Sequence, residues 1–415
     1  MNDRLRVTLL SSEYPPHVYG GLGVHVERLT AALAGAVSFD LFAPESGDYL
    51  AANPAVRLHE VPIPVVRTDV EHWLHYGRAA ARLAEPAARA ADLVHCHDWM
   101  TVLAGLRLRA VTGTPLVYNV HLPQGSGLRR ALESLGLLAA DLVLVNSRAV
   151  QRELTDRGLP VRRMEVLPNG VDLETFRPPA DGPRDRGYVL FVGRLVGQKG
   201  VDLLLRAFAA VLRRCPESRL VVAGDGELEL YLERVARYLG FPDRVGFVGW
   251  QTGEALVRLY QGAQVVVIPS LYEPFGIVAL EAMACGRPVI ASRVGGLEEI
   301  VEDGVEGYLI ERGDHLQLAR RLVRLILDPE LRRRLGQAAR ERAAGFSWQR
   351  VAERTLALYR EVAGQPSGQL PAPAAMPFES ELLAGVCPEL RGTVEELLEP
   401  ARSPSARSAY RRTTP

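Results

Sequence analysis

The sequence predicts an α/β protein built from two doubly wound, parallel-sheet domains, and three observations carry that reading. Short β-branched or leucine-rich runs alternate with longer amphipathic stretches, the signature of βα units whose sheets are covered on both faces. That alternation runs through the chain twice. At 415 residues the chain also exceeds what one core organises, given roughly 150 residues per domain.

In the first half, strands are expected at residues 6–11, 39–42, 93–95, 116–120, 142–145 and 164–167, each a short apolar run ending in polar or turn-forming residues. In the second half they are expected at 188–192, 219–223, 245–248, 265–268, 289–291 and 307–310. Between the two sets, FRPPADGPRDRG at 176–187 replaces apolar periodicity with proline, glycine and charge, which marks a linker between domains at 1–175 and 188–346. Helices are expected at about 315–327, 329–343 and 347–363. The tail, 364–415, begins proline-rich, contains FESELLAGVCPELRGTVEELLEP with the pattern of one or two short helices, and ends basic, as a solvated tail does.

Composition limits the function classes. With 49 basic and 49 acidic residues, no whole-chain field recruits nucleic acid or an anionic membrane. The four cysteines, Cys96, Cys215, Cys285 and Cys387, lie far apart without a CxxC pair, as in a reducing compartment. The first residues lack the hydrophobic region of a signal peptide, and no segment reaches the ~18 apolar residues of a membrane span. The expectation is a cytoplasmic protein with no integral membrane segment.

In open α/β sheets, ligands bind beyond the carboxyl ends of strands, so the strand-to-helix turns hold the candidate residues. The first turn, SSEYPPHVYGGLGVHVERLTAAL at 11–33, places Gly20, Gly21 and Gly23 at the start of a helix. Such glycines either let backbone N–H groups approach an anion or a sugar hydroxyl, or serve a tight turn with positive φ. The dinucleotide fingerprint GxGxxG is absent because Val26 stands where its third glycine belongs, which disfavours a nicotinamide enzyme.

Two further strand ends carry HCHDW at 95–99 and NVH at 119–121. A pair of histidines one residue apart can ligate a metal, but no other His or Cys cluster completes a set, so no metal is expected. His97, Asp98 and His121 suit hydrogen bonding to a polyhydroxyl ligand, or serve as satisfied core groups. In the second half, FVGRLVGQKGVDLLLRAF puts Arg194 and Lys199 in a glycine-containing loop before a helix near Val201. Two cations beside the positive end of a helix call for an anion, and a diphosphate fits.

The segment EPFGIVALE, 273–281, contains two carboxylates in an apolar setting. Its strand ends at Ser270, so Glu273 lies in the loop above the sheet; Pro274 and Gly276 mark a helix start, and Glu281 falls about one turn inside that helix. Glu281 either complements the helix dipole or, flanked by apolar residues, needs donors such as vicinal ribose hydroxyls.

These segments, with VNSRAVQREL, VLPNGVDLETFRP, VVAGDGE and PSLYEPFGIVALEAMACGRPVIASRVGGLEEIVEDGVEGYLI, resemble glycosyltransferase family 4 in order and spacing over 145–310. The N-terminal EYPPHVYGGLGVHVERL and HCHDW are similar to bacterial glycogen and starch synthases of the short actinobacterial type. The resemblance implies a GT-B fold, two Rossmann-like domains facing across a cleft, with 347–363 crossing back to the first. It implies that Arg194 and Lys199 hold the diphosphate of a nucleotide sugar with backbone N–H groups around Gly276 and Ile277, and that Glu281 binds the ribose. Glu273 would contact the transferred sugar, His121 would sit beside its 6-position and anomeric centre, and Gly20, Gly21, His97, Asp98 and Asn169 would lie on the acceptor or sugar side. Asn169 also fits an ordinary Asn-Gly turn.

Family likeness further implies retention of anomeric configuration by front-face attack, with ADP- or UDP-glucose as donor, an α-glucan or other carbohydrate acceptor, and no cofactor. No Asp-x-Asp occurs, so the two cations are expected to neutralise the leaving diphosphate without a metal. One departure is that HLPQGSGLRRALESLGLLAAD reaches the next strand in about twenty residues, where the synthases have a longer segment. A lipid or small-molecule acceptor, a nucleotide-sugar epimerase and a non-catalytic sugar-nucleotide sensor are the alternatives.

Overall fold

A computed structural model describes residues 4–18, 20–47, 53–64, 69–179 and 187–365. Most of the expected linker, 180–186, and nearly all of the tail, 366–415 with its short helices and Cys387, lie outside the described residues. The chain forms two compact units, one of Met1–Asn146, Gln151–Leu167 and Ala352–Pro415, the other of Ser147–Val150 and Pro168–Val351.

The first unit contains a seven-stranded sheet, wholly parallel, in the order β3-β2-β1-β4-β5-β6-β7. Its strands are β1 (Leu5–Leu10), β2 (Val37–Pro44), β3 (Val56–Val61), β4 (Leu93–His97), β5 (Leu116–Val120), β6 (Leu142–Val145) and β7 (Met164–Val166). The connecting helices are α1 (Gly21–Leu33), α2 (Asp69–Ala90), α3 (Asp98–Thr112), α4 (Gly127–Ala139) and α5 (Arg148–Thr155). Every residue of β4, β5 and β6 is buried, which is why β6 reads as an uninterrupted apolar run and β4 and β5 as apolar runs broken only by His95, His97 and Asn119. The strand order reverses between β1 and β4, so the segments following those two strands flank the switch point where such sheets bind ligands.

The second unit carries a six-stranded parallel sheet in the order β10-β9-β8-β11-β12-β13. Its strands are β8 (Tyr188–Val192), β9 (Arg219–Ala223), β10 (Val245–Phe247), β11 (Ala263–Ile268), β12 (Val289–Ser292) and β13 (Gly307–Ile310). The helices are α6 (Val201–Leu212), α7 (Glu229–Tyr238), α8 (Gly253–Gly262), α9 (Ile277–Ala284), α10 (Leu297–Ile300), α11 (His315–Leu327) and α12 (Pro329–Ala343). Along β8 the side chains alternate, Val189 and Phe191 joining a core with α6 and α11 while Leu190 joins the opposite core with α8 and α9. Each fully buried leucine or phenylalanine there contributes roughly 1.5–3 kcal/mol. The late helices begin where the sequence caps them: Asp314 accepts from the Gln317 N–H, and Asp328, followed by Pro329, accepts from the Leu331 N–H.

Helix α13 (Trp348–Ala363) starts in the second unit, and from Ala352 onward it belongs to the first. Within the first unit it is held by Arg163, which bonds Glu361 at 2.8 Å, by Arg354 on Glu165 at 3.2 Å, and by the buried Tyr359.

Candidate functional site

Each unit gathers part of the expected site at the carboxyl edge of its own sheet. In the second unit, β8 ends at Val192 and the chain turns through Gly193 and Arg194 into a 3-10 turn, Gly197–Lys199, before α6. Gly200 closes that turn at φ +65°, and a Cβ there would come within 2.2 Å of the Pro269 carbonyl oxygen. Only glycine permits this approach of the β8 loop to the end of β11. The Leu271 N–H donates to the Gln198 carbonyl at 2.7 Å, tying the two loops together.

The result is that Lys199 and Glu273 meet. Lys199 Nζ donates to Glu273 Oε2 at 2.7 Å, and the Ser270 hydroxyl donates to the same oxygen at 3.0 Å. Both charged side chains are largely covered, 19% and 13% exposed. The ammonium has three hydrogens and this pair uses one, while Glu273 Oε1 accepts from no described residue. Arg194 is exposed and has no ion pair among the described residues, which leaves its guanidinium available to an anion.

Beyond Glu273, Gly276 at φ +111° caps α9, whose first N–H groups at Ile277 and Val278 have no intrahelical acceptor. The family resemblance assigns the backbone N–H groups around Gly276 to a diphosphate. The structure gives a reason for the glycine itself: a Cβ there would lie 2.6 Å from Leu297 Cδ2 on α10. The same packing involves two glycines the sequence reading passed over. A Cβ on Gly295 would meet the Glu273 carbonyl oxygen at 1.9 Å, and one on Gly296 would meet Phe275 Cα at 2.5 Å.

Glu281 is half-buried, less deeply than its apolar neighbours suggested, and one of its needs is met inside the protein. The Tyr260 hydroxyl, fully buried on α8, donates to Glu281 Oε2 at 2.7 Å. Burial and the adjacent carboxylate both push the Tyr260 hydroxyl well above its ordinary pKa, so it stays a donor. Nothing in the sequence pairs Tyr260 with Glu281, because the contact depends on how α8 packs against α9. Asn169 is buried just after the chain enters this unit at Pro168, and the neighbouring Gly170 packs on the Trp348 indole, where a Cβ would fall 2.7 Å from the ring.

In the first unit, Gly20 and Gly21 stand at the start of α1 as expected, but neither takes positive φ; Gly20 is extended at φ −176°. The tight-turn explanation therefore fails for this loop. The glycine with a steric reason is Gly23, whose N–H donates to Glu13 Oε2 at 3.1 Å and whose Cβ would stand 2.9 Å from that oxygen. Glu13 was not foreseen.

The histidines at the ends of β4 and β5 form one buried group with His25 of α1. Register explains it: His97 pairs with Asn119 across β4 and β5, and His95, His97 and the Asn119–His121 pair follow the period of two that keeps side chains on one face. His97 Nδ1 lies 2.9 Å from His121 Nε2, and Asn119 Nδ2 lies 3.2 Å from the same nitrogen. His95 Nδ1 meets the Tyr359 hydroxyl at 2.6 Å. Burial, reinforced by the neighbouring histidines, lowers the pKa of His95 to about 3 and those of His97 and His121 well below the usual value. All three are neutral imidazoles.

Two expectations are corrected here. His25 does complete a set of three histidines with His97 and His121, its ligand atoms within 4.8 Å of theirs. Yet two nitrogens on one tetrahedral zinc, each at about 2.0–2.1 Å, would stand roughly 3.3 Å apart. The 2.9 Å contact between His97 and His121 is the length of a hydrogen bond. His97, moreover, is fully buried and reaches a ligand only through His121, which keeps 8% exposure.

Asp98 opens α3 at φ +54°, a left-handed conformation that aspartate tolerates better than most residues. It is buried, and its Oδ1 accepts from the His121 N–H at 2.6 Å and the Leu122 N–H at 3.4 Å. Burial raises its pKa to about 8 against the lowering effect of the His121 N–H. The segment after His121 is fixed from behind by Glu133, which accepts from the Gln124 N–H, and by Arg157, which pairs with Glu133 and donates to the Gln124 carbonyl.

Residues 19–175 match the family described as Glycosyltransferase Family 4, and residues 173–342 match Glycosyl transferases group 1. An alpha-maltose-1-phosphate synthase of Mycolicibacterium smegmatis is 33% identical over 405 residues, covering 86% of this chain and 100% of the relative. The chain belongs to glycosyltransferase family 4. A D-inositol 3-phosphate glycosyltransferase of Salinispora arenicola is 37% identical over 68% of this chain and 72% of its own length. Among solved structures, sucrose-phosphate synthase from Thermosynechococcus elongatus superposes with a TM-score of 0.77 at 29% identity, covering 86% of this chain and 99% of that one. The fold is GT-B, two Rossmann-like parallel-sheet domains. As a family 4 glycosyltransferase, this hexosyltransferase takes a nucleotide-sugar donor and an acceptor. No helix among the described residues is long and apolar enough to cross a membrane.

Proposed function

We propose that this glycosyltransferase moves a glucosyl group from ADP- or UDP-glucose to an acceptor hydroxyl with retention of configuration and without a metal. The observation that carries the reading is the Lys199–Glu273 pair at 2.7 Å, with Ser270 on the same carboxylate and an uncommitted Arg194 in the loop before it. A departing diphosphate needs cations in a low-dielectric setting, and the spare hydrogens of Lys199 with the guanidinium of Arg194 meet that need. The N–H groups at Ile277 and Val278, which have no intrahelical acceptor, add to it. Glu281, oriented by Tyr260, would accept from the ribose hydroxyls. Glu273 keeps Oε1 for a hydroxyl of the transferred sugar, and its negative charge favours an oxocarbenium-like transition state. His121 and Asp98 serve the sugar, with the leaving phosphate taking the acceptor's proton.

Two acceptor classes compete. The N-terminal resemblance to glycogen synthases favours the end of an α-glucan. The short connection from His121 to β6, filled by α4, favours a small acceptor, and the relatives named above act in the synthesis of maltose-1-phosphate or sucrose-phosphate or on inositol 3-phosphate. A small phosphorylated sugar or polyol is therefore the second reading.

The test is release of nucleotide diphosphate from a panel of nucleotide sugars in the presence of glycogen, maltooligosaccharides, glucose 1-phosphate or inositol 3-phosphate. Product anomeric configuration is read by NMR. Lys199→Ala is expected to lower kcat by about 10²–10³-fold and to weaken donor binding, and Glu273→Ala to lower kcat more than donor affinity. Wild-type rates in either variant, inversion of configuration, or loss of activity on EDTA treatment would each overturn the corresponding part.

A further inference from the structure

We infer that His97 and Asn119 are positioning residues that lock His121 in the tautomer protonated on Nδ1, so that His121 meets its ligand only as a neutral hydrogen-bond donor and never as a base. The inference rests on the proposed function for what the donated hydrogen bond does, but not for the tautomer itself. It begins with Nε2 of His121, which faces two buried groups at once: Asn119 Nδ2 at 3.2 Å and His97 Nδ1 at 2.9 Å. An amide nitrogen only donates. His121 Nε2 must therefore accept, which places the ring's one proton on Nδ1.

His97 then follows without further freedom. Its Nδ1 faces an acceptor and so carries hydrogen, leaving Nε2 a bare lone pair; that atom is buried and has no hydrogen-bond partner. Turning the Asn119 amide over would present two acceptors, Oδ1 and His97 Nδ1, to a single Nε2–H. The first arrangement supplies a hydrogen to each contact, the two sharing the one Nε2 lone pair, whereas the second sets two acceptors against one hydrogen. Strand register builds the device, since His97 stands directly opposite Asn119 and His121 lies two residues on.

Burial opposes a second proton on His121, and the neighbouring imidazoles reinforce it. His25 of α1 packs edge-on with ring centroids 4.7 Å apart, and the His97 ring lies nearly coplanar with that of His121, its centroid 5.2 Å away across the hydrogen bond. Asp98, the nearest carboxyl, has its Oδ1 committed to the His121 and Leu122 N–H groups. His121 Nδ1 bonds no described residue, and the side chain keeps its small exposure. Its ligand must therefore offer an oxygen lone pair, as a sugar hydroxyl does. In a reaction whose proton goes to the leaving phosphate, a donor at this point is sufficient.

Full-length protein with ¹⁵N-labelled histidine tests this by long-range ¹H–¹⁵N correlation, with His121→Phe assigning the signal. We expect Nδ1 protonated and Nε2 bare from pH 6 to 9. Asn119→Asp, whose carboxylate accepts, should put a proton on Nε2 and lower kcat about 10²-fold or more with KM for donor changed less. His97→Asn, which keeps a donor where Nδ1 stood, should preserve the wild-type tautomer, whereas His97→Leu frees the Asn119 amide to turn over and should leave both tautomers populated. A proton on Nε2 of wild-type His121, titration of the ring near its ordinary pKa, or an unchanged tautomer in Asn119→Asp would overturn the inference. Because the spectrum needs no turnover, its failure is distinct from failure of the proposed reaction.

Discussion

Asp98→Asn should make the stability of the first unit less sensitive to rising pH. The wild-type carboxyl is buried, and burial carries its pKa from 3.8 to about 8. Between those values the folded protein binds a proton that the unfolded chain releases, so wild-type stability falls as pH rises through that window and levels off above about 8. At about 1.4 kcal/mol per pH unit the ceiling is roughly 6 kcal/mol. Asparagine carries no such proton, retains an oxygen for the His121 and Leu122 N–H groups, and accepts φ +54° as readily as aspartate. The assay is Tm against pH from 4 to 9 for both proteins. The advantage of Asp98→Asn should be near zero at pH 4 and grow steadily to pH 8. Parallel curves would refute the reasoning, since they would mean that Asp98 is ionised in the folded protein throughout. Asp98→Ala separates charge from backbone, because alanine removes the acceptor and costs about 1–2 kcal/mol at left-handed φ, so its curve should run parallel to that of Asp98→Asn and below it at every pH.

Three further outcomes follow from the same geometry. Gly200→Ala, at φ +65° with its Cβ driven toward the Pro269 carbonyl, should cost at least about 2 kcal/mol, read as lowered Tm together with weakened donor binding. Tyr260→Phe removes the donor on Glu281 while keeping the buried ring; a loss of about 1.5–3 kcal/mol is expected for a hydrogen bond to a charged group, and calorimetry with nucleoside diphosphate should show reduced affinity. His95, held at about pKa 3 by burial, contributes stability that is complete above the ordinary histidine pKa and is lost as pH falls from there toward 3; His95→Gln should flatten that acid branch of the Tm curve.

The fold was legible because parallel strands buried on both faces have no choice but to be apolar runs. Strands β5, β6, β8, β9 and β13 have the boundaries the sequence predicts, and the other predicted strands shift by one or two residues. The one strand unread among those described is β3, VRLHEV, and the reason is its place at the sheet edge. It pairs only with β2 and is mostly half-exposed, so Arg57, His59 and Glu60 interrupt its hydrophobicity; His59 answers Asp40 on β2 at 2.8 Å, a cross-strand contact no local window contains.

The site divides along a different line. Residue types at strand ends were readable, since Arg194, Lys199, Glu273 and Glu281 announce themselves as charges in apolar or glycine-rich settings. Their partners were not, because partnership is set by packing between segments far apart in the chain. Lys199 and Glu273 were read as two separate contacts to a ligand, one to phosphate and one to sugar, yet they bond one another across 74 residues. Glu281 was credited with a need that Tyr260 partly meets. The histidines show the same division more sharply: HCH and NVH looked like independent candidates, but register places Asn119 and His97 on one nitrogen of His121. A hydrogen-bond partner consumes a lone pair or a proton, and what remains is all that chemistry can use. On that accounting Lys199 has two hydrogens left, Glu273 one oxygen, and His121 a single N–H, and any mechanism for this enzyme has to be written with those atoms.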